Sequence, residues 1–227
     1  MKILLINPNI SRDTTAMMVA IARSCVPDGI VVTGATATRG PPMITTPAAL
    51  AAAADEVVEI GIREAAGVFG IIVGAFGDPG LETLQRNVSI PAVGICEAAM
   101  IDAAAGGRRF GVATVTPDLA APITERARDL GLLHLFTGIR LTPGDPLALA
   151  AGPARLQQHL AEAVATCFDE DHAEAVIIGG GPLGQAAIGL AQSFKQPIIA
   201  PIPATVRRLV TMMRNRTPRK RDRAGPG

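Results

Sequence analysis

The chain of 227 residues has no tryptophan and no tyrosine, and six phenylalanines leave its aromatic content at 3%. That argues against the stacked aromatic platforms with which proteins hold single-stranded nucleic acid. Charge is also sparse, at 18% of residues against 48% hydrophobic, with a mean hydropathy of +0.34. So apolar a composition argues against a disordered chain. Yet no run reaches 18 uninterrupted apolar residues, because glycine, proline or a charge breaks each candidate, so no membrane span is expected. The three cysteines, Cys25, Cys96 and Cys167, are odd in number and far apart, which suits neither a disulfide framework nor a zinc site. A reducing cytoplasm is the expected location. The opening MKILLINP carries one lysine and a short apolar stretch, and reads as a buried strand rather than a secretion signal.

The net charge of +1 conceals an uneven distribution. Residues 214–227 hold six basic side chains and one acid, and the rest of the chain has 15 basic against 19 acidic residues. The body is therefore mildly acidic and ends in a basic tail, with 217–227 expected to be a disordered, solvated extension. A nucleic-acid arm is the weaker alternative for this run.

Short apolar runs alternate with helical patterns along the chain. Strands are expected at 2–6, 29–35, 70–73, 92–95, 110–113, 135–140, 175–178 and 198–200, and helices at 14–25, 47–66, 117–130 and 153–168. In the last of these, Leu156, Leu160, Val164, Cys167 and Phe168 share one helical face. Strands that are apolar throughout suit a parallel sheet covered on both sides, so the fold class is α/β. Residues 68–95 and 173–202 form a weak internal repeat: a buried strand, a glycine-rich turn, a helix, then a proline opening another strand. ILLINPN and FGVATVT correspond at a similar offset. The expected architecture is two pseudo-symmetric lobes, each a mostly parallel sheet flanked by helices, with a shared site between strand ends. The first lobe is placed at 1–97 plus 203–216 and the second at 98–202.

The segments INPNIS (6–11), GAFGDPGL (74–81), PAVGICEAAM (91–100), FGVATVT (110–116) and GGGPLG (179–184) resemble the aspartate/glutamate racemase superfamily, and more closely its hydantoin and allantoin racemase branch. The resemblance covers nearly the whole chain in order and spacing. It implies two cysteines facing each other across the substrate, one removing and one returning the proton at the stereocentre, since inversion requires transfer on opposite faces. At the corresponding positions this chain carries Ala75 and Gly180, neither of which titrates.

What survives is a binding apparatus. The resemblance assigns substrate contacts to Asn7, Pro8 and Asn9 at the end of the first strand. Thr114, which matches a threonine of the family's motif, and Thr116 end the matching strand of the second lobe and can hydrogen-bond a carboxylate or imide oxygen. Thr45 and Thr46 follow a Gly-Pro-Pro stretch expected to cover the site. The turns bearing Ala75, Phe76 and Gly77, and Gly180, Gly181, Pro182 and Leu183, offer backbone N–H groups ahead of helices. Asp78 is expected to cap its own helix. Glu97, on a glycine-bordered turn, and Cys96 beside it at a strand end are the candidate catalytic residues, with Glu97 the leading acid or base. Cys25 and Cys167 are expected to be inert residues on buried helix faces, and the three histidines to lie outside the chemistry.

The expected function is a cofactor-independent, metal-free enzyme acting on a hydantoin-like five-membered ring. Hydrolysis at a ring carbon, for example replacement of a thiohydantoin sulfur by oxygen with release of sulfide, is the leading reading. A racemase using a non-standard acid or base and a non-catalytic ligand-binding protein are the alternatives. The partners expected are a small-molecule substrate and, from the resemblance, further copies of the chain in a homo-oligomer.

Overall fold

The computed structural model describes residues 1–216. The basic tail at 217–227 lies outside the described residues. Two four-stranded parallel sheets make up the body. The first contains β1 (Lys2–Asn7), β2 (Val31–Thr36), β3 (Gly70–Val73) and β4 (Ala92–Gly94), in the order β2-β1-β3-β4. The second contains β5 (Phe110–Thr114), β6 (Phe136–Leu141), β7 (Ala175–Ile178) and β8 (Ile198–Ile199), in the order β6-β5-β7-β8. The two orders correspond strand for strand. In each sheet the chain leaves the first strand to one side and then returns to the other, which opens a crevice at the strand C-termini.

The inner strands are apolar because helices cover both their faces. All four residues of β3 and all four of β7 are buried. In the first lobe, α1 (Arg12–Cys25) and α2 (Pro47–Glu64) carry their own start signals. Ser11 accepts the Thr14 N–H at the head of α1, and Thr46 accepts the Ala49 N–H ahead of Pro47 at the head of α2. The short α3 (Leu81–Asn87) and the buried α4 (Ile95–Ala103) complete the first half. The second half adds α5 (Ala120–Asp129), α6 (Pro146–Ala150), α7 (Pro153–Asp169) and α8 (Gly184–Leu190). Finally α9 (Pro201–Arg216) returns to pack on α1, α4 and β3.

One expectation at the centre of the molecule is corrected. The strand anticipated at 92–95 ends at Gly94, and Cys96 and Glu97 belong to the first turn of α4 rather than to a strand end or a glycine-bordered turn. This helix is covered on nearly all sides, with Ile95 through Met100 all buried, so it lacks the polar face that makes a helix visible as a period in sequence.

Candidate functional site

The C-terminal ends of the inner strands of both sheets converge on a cavity of about 500 Å³, counted out to its open mouth. Its walls are largely apolar. Met43 and Ile44 come from the segment between β2 and α2, Leu50 from α2, Phe76 from the turn after β3, and Leu119 and Ile123 from the start of α5. Two glycine turns close it from opposite lobes: Gly74–Ala75–Phe76 after β3 and Gly179–Gly180–Gly181 after β7. Gly179 and Gly181 meet the facing turn without room for a side chain. A Cβ on Gly181 would stand 2.6 Å from the Gly74 carbonyl oxygen, and one on Gly179 would stand 3.1 Å from the Phe76 ring.

Two polar side chains line this space, Asn9 and Thr116. Each is oriented by a residue two places before it. Asn7, fully buried, donates through Nδ2 to Asn9 Oδ1 (2.9 Å), to the Ser11 carbonyl (3.0 Å) and to Thr15 Oγ1 (3.0 Å), and its Oδ1 accepts the Asn9 N–H. Asn9 Oδ1 also accepts the Ser11 N–H at 2.9 Å. With its oxygen so engaged, Asn9 turns Nδ2 outward, and that amide has no acceptor among the described residues. On the other lobe, fully buried Thr114 donates its one hydroxyl proton to the Gly179 carbonyl at 2.6 Å. The contact between Thr114 Oγ1 and Thr116 Oγ1 at 3.3 Å therefore has Thr116 as donor, which leaves the Thr116 oxygen as an acceptor at the cavity. The backbone N–H groups of Ala75, Phe76, Gly180 and Gly181 donate to no oxygen of the described residues. The cavity thus presents several donors, one hydroxyl acceptor and no titratable side chain.

Of the residues singled out in the sequence, Asn9, Ala75, Phe76, Thr116, Gly180, Gly181, Pro182 and Leu183 line this cavity. Others serve it from behind or lie apart. Asn7 and Thr114 spend their polar groups on Asn9, Gly179 and Thr116. Thr46 caps α2, and Thr45 is not in the lining. Pro8 borders a groove beside Arg39 and Glu59, and Gly77 borders another between α3 and α5. The lining also includes Met43, Ile44, Leu50, Leu119 and Ile123, which sequence reasoning passed over. Each is an apolar residue in a loop or on a helix, and nothing but its neighbours in space distinguishes it from core.

Cys96 and Glu97 stand behind the turn rather than in the cavity lining. Cys96 is fully buried, and burial, with Asp78 adding to it, pushes its thiol well above the usual range. Glu97 is engaged by Arg126 of α5, whose Nη2 lies 2.8 Å from Oε2. Burial raises its carboxyl and the Arg126 guanidinium opposes that rise. Asp78 caps a helix other than the one expected: its Oδ1 accepts the Cys96 N–H at 2.8 Å and its Oδ2 the Glu97 N–H at 2.7 Å, at the head of α4. The head of α3 is instead formed by Gly80 in the left-handed conformation. Cys167 is buried, with its thiol pushed up to about 12 by burial first and Asp171 second, while Cys25, at the last residue of α1, is only half-buried.

The whole-chain comparisons agree with this architecture. A hydantoin racemase of Rhizobium meliloti is 30% identical over 169 residues, 71% of this chain and 70% of the relative. A hydantoin racemase of Paenarthrobacter aurescens is 27% identical over 210 residues, covering 91% of this chain and 89% of that one. The solved allantoin racemase from Klebsiella pneumoniae superimposes with a TM-score of 0.89 at 27% identity, covering 94% of this chain and 88% of that structure. Among the described residues no helix is long and apolar enough to cross a membrane. The model of the Asp/Glu/Hydantoin racemase family matches residues 3–209, and this chain belongs to that family.

Proposed function

We propose that the interlobe cavity binds a small hydantoin-like five-membered ring and promotes proton exchange at its stereocentre, without protein thiols. The observation that carries this reading is the sign of the cavity's hydrogen-bonding groups. Asn9 Nδ2 and the N–H groups of the two facing turns are donors, and Thr116 Oγ1 is the acceptor. A hydantoin ring offers two carbonyl acceptors and two N–H donors, and the apolar walls suit its substituent. Relatives named as hydantoin and allantoin racemases support the choice of ring and the isomerase chemistry.

The chemistry follows from the donors. When the proton at the stereocentre leaves for water, its electron pair moves onto the adjacent carbonyl oxygen, and fixed N–H donors stabilise the enolate. A preorganised donor of this kind is worth on the order of 100- to 1000-fold in rate. Return of a proton from water to either face completes racemisation. No side chain of the lining serves as base, so the rate lies well below that of a two-thiol enzyme. Hydrolytic attack at a ring carbon, including desulfurisation of a thiohydantoin, is the weaker reading, because the carboxylate expected to activate water, Glu97, is held by Arg126 outside the lining.

The test is proton NMR of substituted hydantoins and 2-thiohydantoins in deuterium oxide. Loss of the ring C–H signal above the buffer rate, abolished in Asn9→Leu, is the expected result. New ring products or free sulfide would establish the hydrolytic reading instead. The lack of any titratable group in the lining favours one second reading, a binding protein on the racemase frame, which predicts saturable binding with neither exchange nor products.

A further inference from the structure

The turn that brings Ala75 and Phe76 to the cavity continues directly into an unusual residue. Asp78 has φ +52°, a left-handed backbone that costs a non-glycine residue energy and persists where its surroundings over-determine it. Here they do. Its N–H donates to the Ala75 carbonyl at 3.1 Å, and its two carboxylate oxygens take the first N–H groups of α4. Gly94 makes room for it, since a Cβ there would lie 2.1 Å from Asp78 Cγ.

All these contacts lie within the first half of the chain. The guanidinium of Arg126 comes from α5, which follows the first strand of the other sheet. Its Nε lies 3.3 Å from Asp78 Oδ2, its Nη2 2.8 Å from Glu97 Oε2, and its Nη1 3.5 Å from Glu82 Oε1. The side chains of Asp78, Glu97 and Arg126 are 1%, 11% and 12% exposed. A buried pair of this kind is a poor device for stability, because desolvation of the ions offsets their attraction and an apolar replacement is often as stable. Its hydrogen bonds are directional, whereas the neighbouring interlobe contacts, Gly74 with Gly181 and Phe76 with Gly179, have no backbone hydrogen bond between them to set a register.

We propose that Arg126 is a positioning residue for the cavity, a clasp from the second lobe that sets the Ala75–Gly77 turn against the Gly179–Gly181 turn through Asp78 and Glu97. The inference deepens the proposed function, since the ligand it serves is the ring assigned there. Arg126 does not line the cavity, so its effect on binding passes through the turn alone.

The experiment measures amide hydrogen exchange of residues 74–78 without ligand, and titrates a 5-substituted hydantoin by calorimetry, in wild type, Arg126→Gln, Arg126→Lys and Glu97→Gln. Val57→Ala, a cavity in the outer packing of the first lobe, is the control for general destabilisation. The clasp predicts at least tenfold faster exchange at 74–78 and at least tenfold weaker binding in Arg126→Gln. It predicts partial recovery of both in Arg126→Lys, a smaller loss in Glu97→Gln, and unchanged affinity in Val57→Ala. If Arg126→Gln does not fold, Arg126→Lys against Val57→Ala decides by the same two readouts. Wild-type exchange rates at 74–78 in the arginine variants overturn the clasp, whatever the ligand result. Failure of the wild type to bind any hydantoin ends the proposed function instead, and leaves the exchange comparison to decide the clasp.

Discussion

Gly181 and Gly74 face each other across the seam between the lobes, with space for a hydrogen on Gly181 and for nothing larger. The atom in the way is a backbone carbonyl oxygen, which no rotamer change can move. Gly181→Ala is therefore expected to cost about 1–3 kcal/mol in stability, as overpacking does, and to part the two turns. Chemical denaturation checks the first effect and hydantoin titration the second, where affinity should fall with the turns out of register.

Asn7 illustrates a residue that serves the cavity without lining it. Asn7→Ala removes the donor to Asn9 Oδ1, Ser11 O and Thr15 Oγ1 together, and leaves the buried Asn9 N–H without its acceptor. The expected loss is about 1–3 kcal/mol, read from the denaturation midpoint. Ligand affinity falls as well, because the Ser11 N–H alone then holds the Asn9 oxygen away from the cavity. Asn9→Leu should weaken binding with a much smaller stability change, and the contrast between the two variants is the check.

Placing thiols at the two positions where the racemase resemblance implies them is expected to be easy at one and strained at the other. Ala75 already has a side chain at the cavity, so Ala75→Cys should fold like the wild type. Gly180 has φ +148°, and a Cβ there would stand 3.2 Å from Leu183, so Gly180→Cys should cost on the order of 1–3 kcal/mol. The double variant should nonetheless speed deuterium exchange at the stereocentre by roughly 100-fold or more over either single variant, the gain typical of positioned acid–base groups.

The buried carboxyl of Asp78 sets a pH dependence with a definite sign. Burial, only partly opposed by the Cys96 N–H and Arg126, pushes it from 3.8 up to about 7. The folded protein thus holds this proton where the unfolded chain has released it. Its contribution to stability is fully present below pH 4 and is lost as pH rises toward 7, with a slope of at most about 1.4 kcal/mol per pH unit. The charges facing it are Arg126 and Glu97, with the Cys96 thiol beside it and Glu82 and Arg208 one step further out. Glu97, also raised, acts in the same direction. Asp78→Asn should flatten the curve between pH 4 and 7, measured by urea unfolding. Asparagine tolerates the left-handed backbone that residue 78 requires.

Opposite behaviour is expected at Glu56, which pins the segment carrying Met43 and Ile44 over the cavity. Burial raises this carboxyl, but the Thr38 hydroxyl at 2.6 Å and the N–H groups of Thr38 and Arg39 at 2.5 and 3.0 Å outweigh it and leave it lowered. Its stabilisation is present above pH 4.5 and is lost as pH falls through the depressed folded value. Glu56→Ala should therefore speed amide exchange at 38–44 at neutral pH, and the difference from wild type should shrink in acid.

The local signals in the sequence determined the strands and the paired lobes, because a strand buried on both faces must be apolar throughout and a helix start needs its cap. Ile3–Ile6, Ile71–Val73 and Val176–Ile178 show the first, and Ser11 and Thr46, at the heads of α1 and α2, the second. The two glycine turns were also legible, as residue identities at fixed places in a repeat, whereas Ala75 and Gly180 as places for two thiols came only from the resemblance to the racemase superfamily. Tertiary structure alone decided which polar groups face the ligand. Asn7 and Asn9 are the same residue type two places apart, and only the network around Ser11 and Thr15 makes one a brace and the other a donor. Glu97 looked like a free base because its partner, Arg126, is 29 residues away and on the other lobe. No local pattern encodes that approach; it exists because two sheets of the same order bring α4 and α5 together.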